Sequence, residues 1–173
     1  MNLKKIKIGI LGGSFDPAHK GHLAISKEAK KKLNLKQIIW TITKKNPFKK
    51  KSSESLLNRI KYCKKIVGKN KFIKIRFYEN TIKSNKTFNL INYLTKNKKK
   101  EIYLLMGADN LINFHKWYKW NKIPEKCNIV VFDRHGYKKK SLKSITFKRL
   151  NNKNLKFIKF NKVNISSSKL RKI

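Results

Sequence analysis

Two histidines, His19 and His22, stand three residues apart in the string Gly12-Gly13-Ser14-Phe15-Asp16-Pro17-Ala18-His19-Lys20-Gly21-His22. On the first turn of a helix that spacing puts both imidazoles on one face, beside the positive end of the helix dipole. Two imidazoles and unpaired backbone amides at one point suit a polyphosphate. Gly21 carries no side chain to block the approach, and Gly12 and Gly13 let the backbone turn sharply and a ligand come close. Asp16 is a good N-cap and Pro17 a good first helical residue, so the helix is expected to begin there. The plainer reading is a glycine-rich turn with two helix-capping histidines.

Two other stretches carry groups of the same kind. In Gly107-Ala108-Asp109-Asn110-Leu111, the glycine opens access to backbone groups and Asp109 can accept from a ribose hydroxyl. Trp117 follows, amid Lys116, Tyr118 and Lys119; it is either core or a partly exposed stacking surface. Near the end, Ser166, Ser167 and Ser168 precede Arg171. Serines at a helix start offer hydroxyls and amides to phosphate, and arginine binds it bidentately, although the same pattern serves as an ordinary cap.

These groups need a scaffold. Ile6 to Leu11 reads as a short buried strand entering the glycine turn, and Ile25, Ala29 and Leu33 give the following helix its apolar stripe. Gln37–Ile42 is a second strand, followed by a polar loop over Thr43–Lys49 with a proline stop. Ser53 or Ser55 caps a helix with Leu56, Ile60, Cys63 and Val67 on one side. Phe72–Phe77 reads as a third strand and Lys86–Thr95 as a short helix. Ile102–Met106 has the unbroken apolar character of a central parallel strand. Asn128–Phe132 and Leu155–Phe160 complete six strands, and Lys138–Asn154 reads as a surface excursion. Strands alternating with helices predict a three-layer α/β fold, a doubly wound parallel sheet of Rossmann type, in a single domain over residues 1–173. In that order the first and fourth strands flank the crevice where such sheets bind ligands.

The chain has 46 basic against 8 acidic residues, a net charge of +38. That balance points either to a polyanionic partner or to an A/T-rich codon bias, since the basic residues are overwhelmingly lysine and are spread along the whole chain. No base-reading motif accompanies them, so specific nucleic-acid binding is not expected. Cys63 and Cys127 form no CxxC pair, which disfavours zinc and a disulfide framework. No apolar run reaches membrane-spanning length, and the N-terminal run is short and lysine-interrupted. The expectation is a cytoplasmic protein without membrane partners.

The string GGSFDPAHKGH resembles the HxGH signature of the nucleotidyltransferases, which move a nucleoside monophosphate from a triphosphate onto a phosphate. GADNLINFHKW is similar to the GxDxxxxFxxW pattern of bacterial nicotinate-nucleotide adenylyltransferases. Arg134-His135-Gly136-Tyr137 resembles their RxGY, Asn46-Pro47-Phe48-Lys49 their basic segment after the second strand, and Ile165–Arg171 their ISSTxxR. The resemblance implies transfer of AMP from ATP to nicotinate mononucleotide. It assigns His19, His22 and Arg171 to catalysis on the triphosphate. Gly12, Gly13, Ser14, Phe15, Gly107, Asp109 and Ser166–Ser168 go to ATP. Lys49, Asn89, Trp117 and Arg134 go to the acceptor, with Trp117 stacked on the pyridine ring. Asn89 stands where relatives often carry threonine, and many relatives continue past the last motif with a further helix. Mg²⁺ is expected to arrive on ATP, with no protein metal site. The rivals are another transferase of the same superfamily, acting on phosphopantetheine or cytidylyl substrates, and a basic nucleic-acid-binding protein.

Overall fold

The computed structural model describes residues 4–45, 53–151 and 153–160. Its strands are β1 (Ile6–Gly13), β2 (Gln37–Ile42), β3 (Ile73–Arg76), β4 (Lys100–Gly107), β5 (Asn128–Phe132) and β6 (Leu155–Ile158). They form one sheet in the order β3-β2-β1-β4-β5-β6, every adjacent pair parallel. This is the expected doubly wound Rossmann order, with the reversal between β1 and β4.

Alternate strand residues supply two cores. Leu11, Ile38, Trp40, Ile42, Leu105, Val130 and Phe132 face the helices α1 (Lys20–Leu33) and α2 (Leu56–Val67), which return Ala29, Leu33, Cys63 and Val67. Ile8, Ile10, Ile39, Ile102, Leu104, Met106, Ile129 and Val131 face the other way. There they meet Ile91 and Leu94 of α4 (Thr87–Leu94), Leu111 of α5 (Ala108–Asn113) and Leu150 of α7 (Ile145–Leu150). A sheet buried on both faces explains why its central strands read as continuous apolar runs. Gly9 is closely packed: a Cβ there would stand 2.8 Å from Leu35 Cδ1 and 3.1 Å from both Ile38 Cγ1 and Leu105 Cδ1.

Several local expectations change. Helix α1 begins at Lys20, not at Pro17, and its N-cap is His19. Asp16 does not cap it, because its carboxylate accepts from Ser53 instead. Gly12 and Gly13 are the last residues of β1, and the turn falls on Phe15, with φ +49°. Both candidate serines before α2 are used, Ser55 as its N-cap and Ser53 as the partner of Asp16. The segment 138–154 is no excursion. It holds α6 (Lys138–Leu142) and α7, which bury Ser141, Ser144, Thr146 and Leu150 against α5. Its polar composition hid this: the buried Ser141 and Ser144 hydroxyls donate to the local carbonyls of Lys138 and Ser141, and Thr146 accepts from the distant His115 amide. A further short helix, α3 (Glu79–Ile82), lies between β3 and α4.

Candidate active site

The carboxyl end of β1 delivers the chain into Ser14–Ala18, where Ser14, Phe15, Asp16 and Ala18 are all buried. A bulky residue rarely adopts the left-handed conformation of Phe15. Here its ring is stacked on Trp40, centroids 5.0 Å apart and planes nearly parallel, with the His22 ring 4.8 Å away. Phe15 therefore offers a ligand its backbone and not its side chain. Trp40 is held in turn by Ser26 Oγ, which accepts its indole N–H at 2.8 Å.

The two histidines cap their own helix. His19 Nδ1 accepts from the Gly21 amide at 3.1 Å, and His22 Nδ1 accepts from the His19 amide at 3.2 Å. This reciprocal box brings the ring centroids to 3.8 Å. An imidazole that accepts at Nδ1 carries its proton at Nε2, so both neutral rings become Nε2–H donors by virtue of the cap. The capping geometry therefore leaves each neutral ring with a donor at Nε2.

Across the sheet reversal, β4 ends at Gly107, which serves as the N-cap of α5. Asp109, in the first turn of α5, accepts at Oδ2 from Arg134 Nη1 at 2.7 Å. Arg134 follows β5, its guanidinium 5.7 Å from the Tyr137 ring, and Gly136 takes φ +80° to close that turn. The sequence placed Asp109 at a ribose and Arg134 at the acceptor; the fold makes them an ion pair. Gly107 leaves room for it, since a Cβ there would lie 2.6 Å from Asp109 Oδ1.

Trp117 is half-buried, which joins its two alternatives: it packs against the core through Phe114, centroids 4.9 Å apart, and keeps part of its surface exposed. The turn carrying it is tied to α7 by the His115 amide donating to Thr146 Oγ1 at 3.1 Å. Asn89 donates from Nδ2 to Ser84 Oγ at 2.9 Å. Beside it, Phe88 meets Tyr118 edge to face, and Lys119 Nζ lies 5.3 Å from both rings. Lys49, Ser166, Ser167, Ser168 and Arg171, with the 46–49 segment, lie outside the described residues. Among the described residues no group of three or more His, Cys, Asp and Glu is placed to hold a metal ion. Nor, among them, is any helix long and apolar enough to cross a membrane.

Arg59 is not marked out by the sequence. It is 2% exposed and donates to the carbonyls of Ser14, Thr43, Lys44 and Glu54. On a lysine-rich amphipathic helix nothing in the pattern distinguishes it from a solvated cation.

The cytidylyltransferase-like family model matches residues 10–173. A protein of Pelagibacter ubique named "Probable nicotinate-nucleotide adenylyltransferase" is 69% identical over all of this chain and 96% of the relative. One of the same name from Agrobacterium fabrum is 39% identical over 75% of this chain and 70% of the relative. Among solved structures, the Plasmodium falciparum nicotinic acid mononucleotide adenylyltransferase complexed with NaAD superposes with a TM-score of 0.79, at 20% identity. That match covers 96% of this chain and 82% of the other, and bears on the fold. The histidine pair, the Asp109–Arg134 pair and Trp117 thus sit on the fold and in the sequence context of one group of enzymes, and the chain belongs to the nicotinate-nucleotide adenylyltransferase family.

Proposed function

We propose that the enzyme transfers AMP by positioning and charge stabilisation, with its residues divided between two half-sites. A phosphate oxygen of nicotinate mononucleotide attacks the α-phosphorus of ATP. The new P–O bond forms as the bond to the β-phosphate oxygen breaks, and pyrophosphate leaves with that electron pair. Deamido-NAD is the product. No enzyme nucleophile is needed, so the barrier is lowered by alignment and by donors aimed at the developing charge.

The observation that carries this reading is the pair of hydrogen bonds that His19 and His22 accept at Nδ1, which leaves Nε2 of each neutral ring to carry the proton. Their Nε2–H groups are the donors assigned to the α- and β-phosphates, with the backbone of Gly12–Phe15 lining the nucleotide. Asp109, oriented by Arg134, is assigned to a ribose hydroxyl; Asn89 and Trp117 are assigned to the nicotinate end. Ser166–Ser168 and Arg171 are proposed to hold the departing pyrophosphate, and Lys49 the acceptor phosphate. Mg²⁺ enters as part of the MgATP substrate, bound by phosphate oxygens. One sheet running from Ile6 to Ile158 supports a single domain, and two unpaired, buried cysteines support a reducing cytoplasm.

The test is pyrophosphate release with MgATP and alternative acceptors: nicotinate mononucleotide, nicotinamide mononucleotide and phosphopantetheine. A site built to donate to a carboxylate mispairs with an amide NH₂, and the +38 charge favours the more anionic acceptor. The nicotinate form should lead the nicotinamide form by at least about tenfold in kcat/KM. Equal values would reject the assigned acceptor pocket, and turnover of phosphopantetheine alone would reject the acceptor altogether.

A further inference from the structure

Three segments converge on one buried cation. Arg59, in the first turns of α2, donates from Nη1 to the carbonyls of Ser14 and Thr43 at 2.5 and 2.8 Å. It donates from Nη2 to Lys44 at 3.1 Å and from Nε to Glu54 at 3.2 Å. Ser14 belongs to the turn that delivers the histidine pair, Thr43 and Lys44 to the loop leaving β2, and Glu54 to the entry of α2. A guanidinium removed from water is costly unless its donors are matched, and here the match is made by backbone carbonyls.

The surroundings make this more than a packing arrangement. The Lys44 residue is gripped from its other side, its amide donating to Glu79 Oε1 at 3.1 Å. Burial pushes the Glu79 carboxyl up, while Lys44 and then Arg59 pull it back. A second strap runs parallel: Ser53 donates from its amide and hydroxyl to the two oxygens of Asp16 at 2.8 and 2.9 Å. Both straps join the nucleotide turn to the stretch bounding the loop after β2. Transfer between two bound phosphates depends on their separation, and a misplacement of about 1 Å can cost about a hundredfold.

We infer that Arg59 is a positioning residue, which sets the distance between the nucleotide turn and the loop after β2 by bridging their carbonyls. The inference rests on the adenylyl-transfer reading above. The guanidinium itself is spent on carbonyls of these segments and is assigned to neither substrate, so loosening Arg59 affects the alignment of the pair more than the binding of either.

The test compares R59K with the wild type. Lysine keeps the charge but presents a single nitrogen, which cannot span carbonyls from three segments. With the fold verified by near-ultraviolet circular dichroism, kcat should fall by about tenfold or more. The ATP dissociation constant, measured by calorimetry, should stay within about threefold. A folded R59K with kcat within about twofold of wild type, or a loss confined to KM, would overturn the inference. If R59K does not fold, E79A loosens the same loop with Arg59 in place: kcat should again fall with ATP affinity kept, and an unchanged kcat would overturn the inference. An inactive wild type in this assay refutes adenylyl transfer itself, whereas an active wild type beside an indifferent variant refutes only the role of Arg59.

Discussion

Two glycine-to-alanine substitutions should separate stability from activity, although each adds one methyl group to a central strand. In Gly107→Ala the new carbon would lie 2.6 Å from Asp109 Oδ1, well inside ordinary contact. The backbone is not at issue, since φ is −81° and alanine adopts it freely. What must move is the end of a side chain, so the carboxylate swings and the 2.7 Å pair with Arg134 is lost or stretched. The partners are 25% and 29% exposed, so screening limits the pair to about 1 kcal/mol of stability. Alanine returns about 0.4–1 kcal/mol by restricting the unfolded chain, leaving stability nearly unchanged. Activity has no such offset. A charge-assisted hydrogen bond to a ribose hydroxyl is worth about 1.5–3 kcal/mol, so kcat/KM should fall by about ten- to a hundredfold. Gly9→Ala is the converse. Its carbon would meet Leu35, Ile38 and Leu105 at 2.8–3.1 Å, all of them buried in the core. Overpacking of this kind costs about 1–3 kcal/mol, and kcat/KM per folded molecule should hold. The assays are urea unfolding and steady-state pyrophosphate release on the same preparations. A Gly107→Ala enzyme with wild-type kcat/KM would refute the role given to Asp109, and a Gly9→Ala protein as stable as wild type would refute the packing argument.

His22→Ala should lower turnover by about a hundredfold or more while weakening the α1 cap by about 1 kcal/mol; wild-type turnover would refute the donor assignment. Trp117→Ala should raise KM for nicotinate mononucleotide about tenfold or more, with Trp117→Phe recovering part of it, measured against an unchanged KM for ATP. Burial pushes the thiols of Cys63 and Cys127 up to about 12, so neither should react with a thiol reagent at pH 8 until the protein is unfolded. Because those folded values lie above the ordinary 9.0, the neutral thiols' contribution to stability is complete below pH 9. It is lost as pH rises toward 12, which urea unfolding across that range would detect as a falling midpoint; a midpoint rising with pH there would contradict the sign.

What the chain declares by itself is what depends on short range. The runs Gln37–Ile42 and Asn128–Phe132 are strands with the bounds read from their residues, because a sheet buried on both faces selects unbroken apolar stretches. Their alternation with helices announced a doubly wound parallel sheet, but its order, with the reversal between β1 and β4, belongs to the tertiary structure, since the same alternation also builds sheets ordered 2-1-3-4-5. The spacing of His19 and His22 announced a shared helix turn, and the rings meet at 3.8 Å. The tertiary structure decided which polar groups find one another. Asp16 looked like a cap and is instead held by Ser53, 37 residues away; Asp109 is paired with Arg134, 25 residues away; Arg59 reaches Ser14 across 45. Segment 138–154 looked solvated, yet its serines and threonine are buried against α5 with backbone partners. Apolar burial follows a period of two or of 3.6 residues and leaves its mark on the sequence. A buried polar group is satisfied by whatever donor or acceptor the fold brings alongside it, and that partner obeys no period.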